Sequence, residues 1–332
     1  MKLSEIGEFG FIERFTPHFN NLLTPGTRGI GDDCAILPMN ESEEMIVTTD
    51  MLVEDIHFLR NKISAQDLGH KSLAVNLSDI AAMGGRPVGS FLSIAIPKTI
   101  EVEYLDALMD GYYQLSQKFS VPLLGGDTTR SIDKLTLNIT VIGQIKRGQA
   151  RLRSMAQTND VIAVSGPLGN SAAGLQSILH NYPNDELTSY LIKSHNHPMP
   201  HINEGLWLAQ QTGVNAMMDV SDGIASDLKH ILHASGKGAV IELSDLPISS
   251  KMKEFAQKYD HNAYELATSG GEDYCLLLTI NDKMVEKITQ EFQQQFGHEL
   301  RPIGRISQEK GLRYELKGKS VENLKNGFNH FI

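Results

Sequence analysis

The acids of this chain stand in unusual company. They recur beside Gly, Ser or Thr, often just past an apolar run: Gly31-Asp32-Asp33, Thr48-Thr49-Asp50, Leu77-Ser78-Asp79, Gly126-Asp127, Asp219-Val220-Ser221-Asp222 and Gly271-Glu272-Asp273. A solvated surface acid usually sits among Lys, Gln and other Glu. Small, turn-forming neighbours instead let backbone and carboxylate approach a ligand closely. Each motif alone reads as a helix cap or a turn; six in one chain point to a shared site. Clustered carboxylates repel and cannot all stay ionised without a cation. Oxygen donors without a matching Cys or His set suit Mg²⁺ rather than zinc or copper. Mg²⁺ keeps waters and is usually shared with substrate phosphates, so the expected chemistry is phosphoryl transfer or phosphate-ester chemistry.

Familiar phosphate motifs are missing. There is no G-x-x-x-x-G-K-[ST], no H-R-D and no D-F-G. The run Gly166-Pro167-Leu168-Gly169-Asn170-Ser171-Ala172-Ala173-Gly174 follows a strand and opens a helix. It suits an anion at a helix N-terminus or, equally, a tight strand–helix turn. It is not G-x-G-x-x-G, and no G-x-S-x-G elbow occurs. His57 on its own reads as a structural histidine. His195, His197 and His201 are interrupted by Pro198 and Pro200, with no second ligand group beside them. They read as an interdomain loop. Arg130 and Arg153 could pair with phosphates, although isolated arginines are more often surface residues. Cys34 and Cys275 are too few for a disulfide framework or a cysteine zinc site and read as reduced thiols.

These residues need a scaffold. At 332 residues the chain suggests two domains. A net charge of −10 disfavours a nucleic-acid binder working through a basic surface. No apolar run approaches a membrane span. Ser4–Phe15 reads as an amphipathic helix rather than a signal peptide. Helices are expected over Ala65–Met83, Glu103–Phe119, Asn170–Leu179, Ile202–Gln211, Ser226–Ala234, Ser249–Tyr259 and Asp282–Phe296. Strands are expected over Met45–Val47, Phe91–Ile96, Leu135–Ile145, Val161–Val164, Ala216–Met218, Ala239–Leu243 and Tyr274–Thr279, with two more in the tail. The boundary falls near 146–155, giving domains 1–150 and 151–332. A weak internal echo pairs Asn76–Ala82 with Asp219–Ala225, and Gly125–Asp127 with Gly270–Asp273.

Taken in order, the motifs resemble the thiamine-monophosphate kinases. They are Gly29–Ala35, Thr48–Val53, His57-Phe58, Lys71–Gly84, Gly125–Arg130, Ser171–Leu175, Asp219–Gly223, Ser269–Tyr274 and Gly327–Phe331. The resemblance implies the aminoimidazole-ribonucleotide-synthetase-like fold, α/β (α+β) in class. In it an N-terminal domain forms a dimeric β-barrel with a second subunit, and a C-terminal α/β domain follows. It implies a cytoplasmic homodimer that moves the γ-phosphoryl of ATP directly onto thiamine monophosphate, with several Mg²⁺ ions and no phosphoenzyme. Residue by residue, Asp33, Thr48, Thr49, Asp50, Asp79, Asp127, Asp219 and Asp222 match Mg²⁺ positions. The main-chain carbonyl is a candidate donor at Thr48. Asp33, Asp50 and Asp127 would be central to catalysis. Gly126, Asp127, Arg153 and Ser221 match ATP contacts. His57, Glu272 and Phe328 match thiamine-phosphate contacts, Phe328 offering an aromatic face to a cationic thiazolium. Arg151 lies two residues from Arg153, and Glu54-Asp55-Ile56 is more acidic than the family's commoner version. A sister enzyme of the superfamily and a non-catalytic nucleotide-binding regulator are the competing readings.

Overall fold

The computed structural model describes residues 3–321. Helix α1 (Leu3–Asn20) is interrupted at Gly7, whose φ is 65°. A first sheet contains β1 (Ala35–Pro38), β2 (Glu43–Val53), β3 (Arg86–Pro97), β4 (Leu123–Ser131) and β5 (Thr136–Lys146). Its order is β1-β2-β5-β3-β4, antiparallel except between β3 and β4. Helices α2 (Ala65–Ala82) and α3 (Val102–Phe119) pair with one another, and α2 covers one face of the sheet. The two helices touch at glycines: a Cβ on Gly69 or Gly111 would lie 1.8 Å from a carbonyl oxygen of the other helix.

The second sheet has seven strands: β6 (Val161–Val164), β7 (Val214–Asp219), β8 (Gly238–Glu242), β9 (Leu276–Ile280), β10 (Arg301–Ser307), β11 (Gly311–Leu316) and β12 (Lys319–Val321). The order is β12-β11-β8-β10-β6-β9-β7, with only β8 and β11 parallel. Strands β6 and β9 are buried along their whole length, as apolar runs covered on both faces should be. Alternate residues serve different cores. Leu276 and Leu278 join the core shared with α2 and the first sheet, while Leu277 turns to the helices on the far side. Those helices are α4 (Asn170–Leu179), α5 (Glu186–Asn196), α7 (Ile224–Ser235), α8 (Ser250–Lys258) and α9 (Ala263–Ser269). Helices α6 (Ile202–Gln210) and α10 (Val285–Phe296) lie on the α2 side. Helix α2 is thus wedged between the two sheets.

Several expectations change. Strand β2 is longer than Met45–Val47 because pairing with β5 carries it through Thr48-Thr49-Asp50. Gly125-Gly126-Asp127 lies within strand β4. Helix α5 fills a stretch for which no element is expected, and its end takes in His195 of the expected loop. Asp185 caps its start by accepting from Thr188 N–H at 2.9 Å. Helix α9 was also missed, and the tail holds three strands. The internal echo has no structural counterpart, since Asp79 ends a helix and Asp222 follows a strand. The barrel implied by the resemblance does not close within one chain. The described sheet is open, and β4 is an edge strand exposed over nearly all its length.

Candidate active site

Strand alternation sorts the acids first. Thr48, Asp50 and Leu52 share the face of β2 that meets α2; Thr49 and Met51 share the opposite, exposed face. The last turns of α2 bring up Ser78 and Asp79. The end of β7 brings Asp219, and the loop before β1 brings Asp33. Oxygens of Asp33, Asp79 and Asp219 lie within 4.8 Å of one another. Around them, Thr48 Oγ1 donates to Asp79 Oδ2. Ser78 Oγ donates to Asp219 Oδ2 at 2.6 Å. The Asp50 N–H, beyond the reach of β1, donates to Asn76 Oδ1 at 3.0 Å.

Burial and mutual repulsion set the electrostatics. Burial first, and then neighbouring carboxylates, raises Asp50 to about 6 and Asp219 to about 7. Burial also pushes Asp33 up and Asp79 well above the ordinary carboxylate range. Asp222 adds its charge to Asp50 and to Asp227, a buried acid on α7 that the sequence motifs do not single out. One Asp33 oxygen, Oδ2, is buried with no hydrogen-bond partner. Such a set of hard, desolvated oxygens with an orphan lone pair fits Mg²⁺.

Arg153 pairs with Asp33, and its backbone N–H donates to Asp32 Oδ1 at 2.8 Å. Its Nε is buried without a partner. Arg151 faces elsewhere, bonding the carbonyls of Ala209 and Gln211 at the end of α6. Of the two arginines, Arg153 is the one beside the acidic cluster.

The acids open onto a cleft of about 780 Å³ lined by Asp50, His57, Asp79, Ser221, Asp222 and Glu272 among others. Its far wall is a charge network. Lys71, wholly buried on α2, donates to Glu272 Oε2 at 2.9 Å. His195, on the last turn of α5, has Nδ1 3.0 Å from both Glu272 Oε2 and Ser171 Oγ. Burial works to raise Glu272, but Lys71 and His195 hold it below its ordinary value. Glu272 therefore presents an anion to the cleft. Its backbone is left-handed, with φ of 62°. Its N–H donates to Ser221 O at 2.7 Å, and the Tyr274 N–H to Val220 O at 2.8 Å. The two loops close this tightly because they meet at glycines. A Cβ on Gly271 would lie 2.4 Å from the Ser221 carbonyl oxygen, and one on Gly223 2.6 Å from that of Gly270. His57 Nδ1 accepts the Val53 N–H at 3.0 Å, which puts the proton of the neutral ring on Nε2.

Other expected residues fall elsewhere. Thr49 Oγ1 is taken up by Ile139, Asn138 and Thr140 across the sheet. Asp127 lies on exposed β4, in register with Ser93, on the same open face as Thr49. Within one chain neither joins the cluster, because odd positions of these strands face away from α2. Gly126 precedes Asp127 on that strand, and Arg130 follows on it. Phe328 lies outside the described residues. The glycine-rich turn before α4 is occupied internally, as Asp273 accepts from Gly169 N–H at 2.7 Å and Ser171 N–H at 3.3 Å. That favours the structural turn over phosphate contact. Glu54 is bound by Arg60 and the Leu135 N–H, and Asp55 by Lys134, so neither lines the cleft.

Comparison with known proteins places the chain in a family. Residues 31–145 match the family model of the AIR synthase related protein N-terminal domain, and residues 157–317 that of its C-terminal domain. The chain is 38% identical to a thiamine-monophosphate kinase of Buchnera aphidicola (subsp. Schizaphis graminum) over 99% of this chain and 100% of that one. It is 37% identical to the Bacillus subtilis thiamine-monophosphate kinase, covering 98% and 99%. The structure of AaThiL complexed with AMPPCP and TMP is 31% identical, covers 99% of both chains and superposes with a TM-score of 0.86. Escherichia coli HypE shares the fold, at 18% identity, TM-score 0.72 and coverage of 95% and 97%. On the full-length identity to these kinases, the chain belongs to the thiamine-monophosphate kinase family.

Proposed function

We propose that this chain transfers the γ-phosphoryl of ATP to the phosphate of thiamine monophosphate, giving thiamine diphosphate and ADP. The observation that carries the reading is one cleft with a carboxylate cluster at one end and an anionic, cation-anchored Glu272 at the other. The acceptor is a phosphate monoester, already a competent nucleophile, so no strong general base is needed. The obstacle is repulsion between two polyanions. Mg²⁺ held by Asp33, Asp50, Asp79, Asp219 and Asp222 would neutralise that charge.

The chain's own residues position and enclose. Ser78 and Thr48 orient the carboxylates. Arg153, with its unpartnered Nε, offers a donor to a nucleotide phosphate once Asp33 engages a metal. Ser221 lines the cleft. Glu272 faces the cationic thiazolium, with His57 on the adjoining wall. Thr49, Gly126, Asp127 and Phe328 remain proposed contacts by family resemblance.

The assembly proposed is a homodimer. Strand β4 offers an unpaired edge, and Leu123 and Leu124 on it are 41% and 55% exposed beside Phe91 at 37%. A second copy would cover that edge and the open sheet face. The domain limits 1–150 and 151–332 and a cytoplasmic site belong to the same reading.

The test is product formation by purified protein with ATP, Mg²⁺ and thiamine monophosphate, each omitted in turn. Thiamine diphosphate identified by mass only when all three are present supports the assignment. ADP release without thiamine diphosphate moves it to a sister substrate. Nucleotide binding without turnover would favour the regulator.

A further inference from the structure

We propose that His201, Glu204 and His298 form a second metal site, separate from the acidic cluster and suited to a zinc-class transition ion. His201 immediately precedes α6 and Glu204 lies in its first turn; His298 follows the left-handed Gly297 that ends α10. The sequence hides the site because its third ligand is nearly a hundred positions away. The three ligand atoms lie within 4.8 Å of one another. Glu204 Oε1 is 3.3 Å from His201 Nδ1 and 3.4 Å from His298 Nε2.

Those separations are long for charge-assisted hydrogen bonds. They match the edge of a coordination tetrahedron. Bonds of about 2.0–2.1 Å to zinc place neighbouring ligand atoms about 3.3–3.4 Å apart. A second observation points the same way: His201 Nδ1 is buried and makes no well-formed hydrogen bond, with Glu204 Oε1 at 3.3 Å its neighbour. The rings of His201 and His298 stand at 69° with centroids 6.1 Å apart, edge to face rather than stacked. Phe292 braces His298 edge-on at 5.1 Å. Two imidazoles and a carboxylate are zinc donors, with affinity rising toward nickel and copper, and a poor match for Mg²⁺. His298 is 40% exposed on its side chain, so water can complete the shell.

Occupancy would have a structural consequence. The ion would tie the start of α6 to the turn after α10. Helix α6 in turn rests on the end of α2, where a Cβ on Gly205 would meet the Ala81 carbonyl oxygen at 2.2 Å. The ion would therefore stiffen the support behind Asp79.

The test uses full-length, tag-free, chelator-treated protein in excess Mg²⁺, which occupies the acidic cluster. Titration with Co²⁺ should give one equivalent with the intense visible bands of a tetrahedral ion, displaced by one equivalent of Zn²⁺. His298→Ala and Glu204→Gln should lose the bands and at least about tenfold in affinity. Zn²⁺ should raise the melting temperature of the wild type and leave that of His298→Ala unmoved, while kinase turnover in Mg²⁺ alone stays the same in both. Should His298→Ala fold poorly, His298→Asn carries the comparison. Absence of tetrahedral bands in the wild type, or their survival in both variants, would overturn the proposal.

Discussion

The Lys71–Glu272 pair is asymmetric, and the asymmetry predicts which half is costlier to remove. The Lys71 side chain is 0% exposed and that of Glu272 25%. Glu272→Gln strands an ammonium with no route to water. An uncompensated buried charge of this kind costs about 3–5 kcal/mol. Lys71→Met leaves a carboxylate that cleft water and His195 still solvate, so its loss should be nearer 1–2 kcal/mol, roughly that of one charge-assisted hydrogen bond. The double variant buries no lone charge, so its loss should fall short of the sum of the singles by about 1–3 kcal/mol. Urea unfolding of the four proteins at neutral pH reads all three quantities, provided the m-values agree. Kinetics supply the functional half. Lys71→Met frees Glu272 from its anchor, so KM for thiamine monophosphate should rise several-fold while KM for ATP holds within about twofold. Lys71→Met as costly as Glu272→Gln, or strictly additive losses, would refute the reasoning.

Asp50→Ala should abolish turnover and, by removing one member of a repelling set, leave Mg²⁺-free stability at least equal to wild type. Melting curves with and without Mg²⁺ alongside a turnover assay check both halves, and wild-type-like turnover would sink the metal assignment. His70 is buried against the Pro198 carbonyl oxygen at 2.6 Å, and burial lowers it from 6.5 to about 4. It stays neutral in the fold but protonates when unfolded, so its contribution is present above about pH 6.5 and lost as pH falls towards 4, about 3 kcal/mol in full. His195 and His230 are lowered to about 4 as well. His70→Gln should thus remove about a third of their combined acid slope in denaturant-measured stability; an unchanged slope would contradict it. If the proposed dimer forms through the open β4 edge, Leu124→Arg should sediment as a monomer where the wild type sediments as a dimer, and a variant that still sediments as a dimer would place the interface elsewhere.

The sequence made regular, locally determined elements readable. Helices Ala65–Ala82 and Val102–Phe119 and strand Val161–Val164 lie within a residue of expectation because their apolar spacing and end signals agree. Strand β2 was read too short because Thr-Thr-Asp is polar, and only pairing with β5 holds it extended. Helix α5 was missed because its segment, ELTSYLIKSHN, is polar and runs into histidines and prolines. The acids of the site were legible from their company; which of them one chain brings together was not. Thr48 and Thr49 are adjacent in a strand, so they cannot both face the same ion through their side chains. Lys71 and Glu204 meet Glu272 and His298 from some two hundred and one hundred positions away, where no local pattern can point.

What unites the site is a single helix. Helix α2 presents Lys71, Asn76, Ser78 and Asp79, all but the last fully buried, from an element packed between two sheets. Each holds a different group: Lys71 the Glu272 carboxylate, Asn76 the Asp50 backbone, Ser78 the Asp219 carboxylate, and Asp79 the hydroxyl of Thr48. Lys71 and Ser78 lie seven residues apart, close to two full turns, so they share a face about 10 Å apart along the axis. The distance between Glu272 and the carboxylate cluster is therefore set by helical rise rather than by loop conformation. Loops supply Asp222 and Glu272, and such segments would drift on their own. Because both loops are tied to one rigid rod, and to each other through Glu272 and Ser221, they can shift only together. That is the positioning a reaction between two bound phosphates needs, since its rate depends chiefly on alignment and charge neutralisation.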